Sequence, residues 1–143
     1  MKSSSILWVY LSAAIALVGV VIHVGAVFGG ASWYALFGAP PRIVASARAG
    51  TWLAPVSALV IAGLMAVCAV YAGSVIGLVR RLPLQRVAIA TIAVVCLLRG
   101  LILPLLALTH AELWNTFEVV SALVWFLAGV GFAEGFRRVQ GGV

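Results

Sequence analysis

Charged side chains are scarce in this sequence. Of 143 residues, nine are lysine or arginine and three are aspartate or glutamate, while 65% are hydrophobic. A soluble domain of this length needs far more charge to cover its surface, whereas a lipid bilayer replaces that polar coat. The shortage of charge therefore excludes a soluble protein and predicts one that is embedded in a membrane.

The residues that carry most enzyme chemistry are equally rare. The chain has two histidines, three acids and two cysteines, and Cys68 and Cys96 each lie inside an apolar run. No CxxC, HxxxH or HExxH spacing, phosphate-binding loop or dinucleotide fingerprint is present. We therefore predict no metal and no cofactor, and the sequence argues against an enzyme.

Four long apolar runs remain once these classes are excluded. A transmembrane helix needs roughly 20 apolar residues, so the length accommodates four spans and little else. We predict them at residues 6–28, 53–79, 84–108 and 116–136, with a polar loop at 110–115. The expected fold is an all-α membrane protein, a single domain in which four transmembrane helices form an antiparallel bundle.

The longest break between these runs covers residues 29–52. Pro41 suits the first turn of a helix, where a missing N–H costs nothing. A short interfacial helix at 41–49 is therefore predicted between spans one and two. Its apolar stripe, Ile43, Val44 and Ala47, is expected to face the membrane.

Basic residues are distributed unequally between the two sides of the predicted topology. Arg42 and Arg48 lie on one side, and the other side holds Lys2, Arg80, Arg81, Arg86, Arg137 and Arg138. Cytoplasmic loops are enriched in lysine and arginine, so both termini are predicted to be cytoplasmic. This pattern explains the net charge of +6 without nucleic acid. The composition, rich in Ala, Val and Arg, indicates a bacterial inner membrane.

Small residues recur four positions apart at Gly25 and Gly29, Gly73 and Gly77, and Gly131 and Gly135. Such spacing lets helix backbones approach closely in lipid. Tight helix packing is expected from these pairs. The predicted partners are membrane lipids and either a second copy of the chain or another membrane protein.

Arg99 is the ionisable residue that most needs an explanation. It lies about 20 Å along span three at 1.5 Å per residue, where an unpaired charge costs about 2.5 to 3.5 kcal/mol. Glu118, near the start of span four, is the expected partner, and His23 falls at a comparable depth in span one. Glu134 is expected to pair with Arg137 or Arg138 near the opposite membrane surface.

These residues support a hypothesis about function. Arg99 would anchor an anion, Glu118 would orient it, His23 would form a polar wall, and Arg42 and Arg48 would lie at the mouth of an outward-facing pocket. Guanidinium groups hold phosphate or carboxylate through paired donors, so the predicted ligand is an amphiphilic anion such as a lipid or lipid precursor, which the protein binds or transports.

Simpler interpretations stay open. The Arg99–Glu118 pair would then only fix helix register, and His23 would be an ordinary interior histidine. The protein would then be a non-enzymatic accessory subunit that binds a partner. A third alternative is a lipid-modifying enzyme in which His23 or Glu118 acts as a base.

Overall fold

The structure is a computed structural model that describes residues 2–110 and 116–141. Five α-helices make up almost all of these residues. In chain order they are α1 (Lys2–Leu36), α2 (Pro41–Arg48), α3 (Leu53–Val75), α4 (Gln85–Ala107) and α5 (Thr116–Gly141).

Four of the five helices are long and apolar enough to cross a membrane: α1 from Ser5 onward, α3, α4 and α5. The short α2 lies between the first and second of them, as the sequence predicts. The all-α, four-span membrane fold is therefore confirmed. The predicted loop at 110–115 lies outside the described residues, except for His110.

Several helix ends differ from the predicted ones. The fourth span was predicted to end at Phe136, but α5 continues to Gly141. The first span was predicted to end at Phe28, but α1 continues to Leu36, with a break at Gly30, whose φ of 69° is non-helical. The second span was predicted to reach Val79, but α3 ends at Val75.

Glycines in the left-handed region set the C-terminal ends of three helices. Gly38, Gly50 and Gly77 have φ values of 67°, 66° and 81°. In each case the amide after the glycine donates to a carbonyl five residues back, at distances of 2.9 to 3.0 Å: Ala39 to Tyr34, Thr51 to Ser46, and Leu78 to Gly73. This arrangement is the Schellman motif, which ends a helix because glycine adopts this conformation without steric cost.

The chain divides into two compact units: unit 1 contains the chain up to Ala16 and from Cys68 onward, and unit 2 contains Leu17–Val67. Unit 1 includes segments of all four spanning helices. They pack as a bundle around a buried cluster formed by Val9 of α1, Ala72 of α3, Ile89, Ala93 and Cys96 of α4, and Phe132 of α5.

Glycines allow close helix contacts within unit 1. A Cβ on Gly131 of α5 would collide with the backbone carbonyl oxygen of Trp8 in α1. A Cβ on Gly100 of α4 would lie 2.8 Å from the amide nitrogen of Phe126 in α5. The expectation of tight packing is therefore confirmed for Gly131.

The other two glycine pairs have different roles. The ring of Trp33 packs directly on Gly29 and near Gly25, so this pair accommodates a side chain of its own helix. Gly73 and Gly77 belong to the end of α3, where Gly77 forms the left-handed turn. Sequence spacing alone does not distinguish these roles from helix–helix contact.

Unit 2 has a small core of its own, built from Ala26, Tyr34, Ala54 and Ala58. Ile43, Val44 and Ala47 of α2 pack against this core. The prediction that this stripe faces the membrane is therefore wrong. The physical reason is that the small alanines of α1 and α3 leave room for the apolar face of α2.

Ser46 of α2 holds the junction between α2 and α3. Its hydroxyl lies 2.7 Å from the Thr51 hydroxyl, and it accepts a hydrogen bond of 3.0 Å from the amide of Ala54 in the first turn of α3. The side chain is buried. Ser46 therefore acts as a cap for α3 from a distance of eight residues.

Replacing Ser46 by alanine should weaken this junction by about 1 kcal/mol, the usual cost of losing a helix cap. Amide hydrogen exchange in the first turn of α3 should accelerate by roughly fivefold, since each 1.4 kcal/mol is a factor of ten. Ser32→Ala is the control because the Ser32 hydroxyl is exposed. Equal exchange rates at Ala54 in the two variants would show that Ser46 does not cap α3.

Candidate functional site

The middle of α4 contains Arg99, whose side chain is exposed. Arg99 lies fourteen positions after Gln85, about 21 Å along the helix, and eight positions before Ala107, about 12 Å from its other end. The described helix contains no other charged residue after Arg86. The backbone of Arg99 thus lies well inside the apolar part of the span, nearer to the end of α4 than to its beginning.

No hydrogen bond or ion pair joins Arg99 to any residue in the ranges 2–110 and 116–141. Glu118, the expected partner, is half-buried in the first turn of α5. Glu118 has an interaction partner of its own. An acidic side chain in a first turn is also stabilised by the positive end of the helix dipole.

The packing of α4 against α5 shows how far Glu118 lies from Arg99. Gly100 is opposite Ala122 and Phe126, and Leu97 is opposite Gly129. In this antiparallel register Arg99 is level with Phe126, while Glu118 is level with Ala107. The two α-carbons are therefore offset by about 12 Å along the helix axes, which is too far for the side-by-side contact of a bidentate pair.

Arg99 also points away from α5. Successive residues of an α-helix are rotated by about 100°, so Arg99 is about 100° from Gly100 and about 140° from Pro104. Arg99 lies on the same flank of α4 as Gln85, which is fourteen positions earlier, because this spacing is close to a whole number of helical turns. The amide of Gln85 donates to the Ser74 hydroxyl of α3 at 2.7 Å, so this flank is the one that turns towards α3 where α4 begins.

An apolar groove of about 310 Å³ lies between α4 and α5. Arg99 is not among the residues that line it, which are Gly100, Leu101, Leu103, Pro104, Val119, Ala122, Leu123 and Phe126. Gly100 and the ring of Pro104 shape the groove, because neither carries a long side chain. It is an apolar surface beside Arg99 rather than a pocket that encloses it.

The three remaining predicted residues belong to unit 2. The Nδ1–H of His23 donates to the carbonyl of Gly19 at 2.8 Å. The bond to Gly19 agrees with an interior histidine. The other ring nitrogen, Nε2, is the atom that would act as a base in the enzyme alternative.

Arg42 and Arg48 are both exposed on α2. They are six positions apart, so their side chains leave the helix about 120° apart. Ser46 of the same helix is turned inward. Together with Arg99 and Glu118 of unit 1, the five predicted residues are thus distributed over both units, and their joint role in ligand binding stays a prediction.

Three further features were not predicted from the sequence. One is the capping role of Ser46. Another is Tyr34, a buried residue whose hydroxyl has no hydrogen-bond partner among the described residues. The last is a basic pocket at the end of unit 1 where α4 begins and α5 ends. The charge pattern was a usable signal for this pocket, because its arginines all fall on the same predicted side of the membrane.

One predicted ion pair is confirmed. Glu134 accepts a hydrogen bond of 2.7 Å from Arg137, three positions later on α5. The following residue, Arg138, donates from Nε and from a terminal nitrogen to the hydroxyl of Ser5 on α1, at 2.9 and 2.6 Å. The beginning of α1 and the end of α5 therefore lie side by side.

Comparison with protein-family models, with curated proteins and with solved structures finds no match to this chain.

Proposed function

We propose that this protein binds or transports an amphiphilic anion, a lipid or lipid precursor, and that Arg99 is the anchor for its charged group. The observation that carries the proposal is the position of Arg99, deep within an apolar span and without a partner among the described residues. An ionised group at such a depth is costly. A ligand that brings a negative charge to this position removes that cost.

The depth of Arg99 and the charge distribution support a site that opens outward. Arg99 is nearer to the end of α4 than to its beginning. Six of the nine basic residues lie on the side where α4 begins, so the positive-inside rule makes that side cytoplasmic. The proposed membrane is a bacterial inner membrane, with both termini in the cytoplasm.

The chemistry of a guanidinium group supports phosphate or carboxylate as the charged part of the ligand. Its planar donors match two oxygens at once, and this match is not reproduced by an ammonium group. The exposed apolar side chains beside Arg99, such as Leu98 and Ile102, are a suitable surface for an acyl or isoprenoid tail.

Binding of dodecyl phosphate tests the proposal. With the protein in nanodiscs of neutral lipid, Arg99→Gln should weaken binding by about 10- to 100-fold, the equivalent of a hydrogen bond to a charged group. Arg99→Lys should weaken binding less than Arg99→Gln does, because lysine keeps the positive charge. It should still weaken binding, because an ammonium group lacks the paired donors of the guanidinium group. Native mass spectrometry of the bound molecules measures both effects.

Arg80→Gln is the matched control, since it removes the same charge from an exposed residue of the α3–α4 turn. Variants of His23, Arg42, Arg48 and Glu118 in the same assay measure whether these residues contribute. An Arg99→Gln protein that binds dodecyl phosphate as the wild type does would overturn the proposal.

A second candidate is an accessory subunit that binds another membrane protein. The apolar groove between α4 and α5 favours it, because a groove lined by Gly100 and Pro104 suits the small residues of a partner helix. In that case Leu101→Ala, which alters the lining of this groove, would change the proteins that co-purify with the chain, while Arg99→Gln would leave dodecyl phosphate binding unchanged.

A further inference from the structure

A pocket of about 480 Å³ lies within unit 1, where α3 ends, α4 begins and α5 ends. Three arginines from separate segments line it: Arg81 from the α3–α4 turn, Arg86 from α4 and Arg138 from α5. None of the described residues that line this pocket is acidic. Three positively charged side chains thus surround one cavity.

The lining of this pocket is held in place by hydrogen bonds. The hydroxyl of Ser5 accepts two bonds from Arg138. Across the pocket, the Gln85 amide donates to the Ser74 hydroxyl at 2.7 Å, and the Tyr71 hydroxyl donates to the Pro83 carbonyl at 3.1 Å. These bonds connect the turn and α4 to α3, so Arg81 and Arg86 extend from an ordered backbone.

The beginning of α4 adds to the positive potential of the pocket. Leu84, at the N-cap, has a left-handed conformation with φ of 54°, and no side chain caps the helix. Gln85, Arg86 and Val87, which carry the first-turn amides, all line the pocket. Free first-turn amides and the helix dipole favour an anion, which reinforces the attraction already provided by the three arginines.

We propose that this pocket binds a phosphate group, and that the group is the headgroup phosphate of an anionic phospholipid or that of a soluble phosphate compound. Basic pockets between transmembrane helices on the cytoplasmic side bind anionic lipid headgroups. Leu82, Leu84, Val87 and Val139 supply apolar lining beside the arginines. The site is separate from Arg99, which lies about 20 Å further along α4.

Native mass spectrometry with phosphatidylglycerol and with phosphatidylcholine of the same chains tests the site. The wild-type protein should prefer phosphatidylglycerol. Each of Arg81→Gln and Arg86→Gln should weaken that binding roughly fivefold, and the double variant roughly 25-fold, at about 1 kcal/mol for each arginine. Arg80→Gln is the matched control, because Arg80 is the neighbour of Arg81 but does not line the pocket.

A second experiment, thermal unfolding with inorganic phosphate, distinguishes a lipid headgroup from a soluble phosphate compound. With the protein in nanodiscs of neutral lipid, inorganic phosphate should raise the thermal unfolding temperature of the wild type more than that of the double variant. A phosphate shift without a preference for phosphatidylglycerol assigns the site to a soluble compound. A preference for phosphatidylglycerol without such a shift assigns it to a lipid headgroup.

Two results would overturn the proposal. One is that Arg80→Gln weakens binding as much as Arg86→Gln, since binding would then follow the total charge of the surface. The other is the absence of both the lipid preference and the phosphate shift. Arg99→Gln should leave this site unchanged, so the two proposals fail independently.

Discussion

Replacing Arg99 by leucine should raise the stability of the protein in the absence of ligand, by about 2 to 3 kcal/mol. The cost of placing an arginine at the centre of a spanning helix is about 2.5 to 3.5 kcal/mol, and no described residue offsets it. In a detergent-denatured state the guanidinium group reaches water, so the folded state alone carries this cost. Reversible unfolding with increasing SDS in mixed micelles measures the difference.

Arg80→Leu is the control for this prediction, because the same substitution at an exposed turn should change the stability by no more than about 0.5 kcal/mol. Dodecyl phosphate provides a further comparison. At 100 times its dissociation constant it should stabilise the wild type by about 2.7 kcal/mol, and it should stabilise Arg99→Leu much less. If Arg99→Leu is less stable than the wild type, Arg99 has a structural partner and is not a ligand anchor.

Gly131→Ala should destabilise the protein by about 3 kcal/mol, at the upper end of the usual cost of overpacking. The added methyl group would meet the carbonyl oxygen of Trp8 and the side chain of Ser12. A backbone atom does not move aside as the end of a flexible side chain does, so α1 and α5 must separate. This separation opens the cluster around Val9 and Phe132.

Gly63→Ala is the matched control, because the same methyl group on α3 would meet no atom within 4 Å. Alanine is the better helix former by as much as about 1 kcal/mol, so this variant should be as stable as the wild type or more so. SDS unfolding of the two variants measures both effects. Similar stabilities would mean that the close approach of α1 and α5 at Gly131 does not contribute to the fold.

The four spanning helices were predictable because hydrophobic length alone identifies a membrane span. The ends of these helices were harder to predict. Gly77 ends α3 by adopting a left-handed conformation, but the apolar run continues past it, and apolarity gives no signal for the change. The direction of the α2 stripe was predicted wrongly, because the apolar residues of an amphipathic helix suit a protein core as well as a bilayer.

The depth of Arg99 was predictable from its place in an apolar run, but its surroundings were not. Contact between Arg99 and Glu118 depends on the register and rotation of two helices, and small residues such as Gly100 and Gly129 determine both. The basic pocket was not predicted, because its arginines already had another explanation. Arg81, Arg86 and Arg138 were each explained by membrane orientation, and that explanation does not show that three of them surround one cavity.

The bond between Ser5 and Arg138 joins residues that are 133 positions apart in the chain. Contacts of such high sequence separation form late, because the loop between them must first be closed. Unit 2 is a continuous segment, Leu17–Val67, that is available early in synthesis. Unit 1 has to wait until α5 has left the ribosome before the beginning of α1 has its neighbour. Until then, α1 must cross the membrane without its final contact surface.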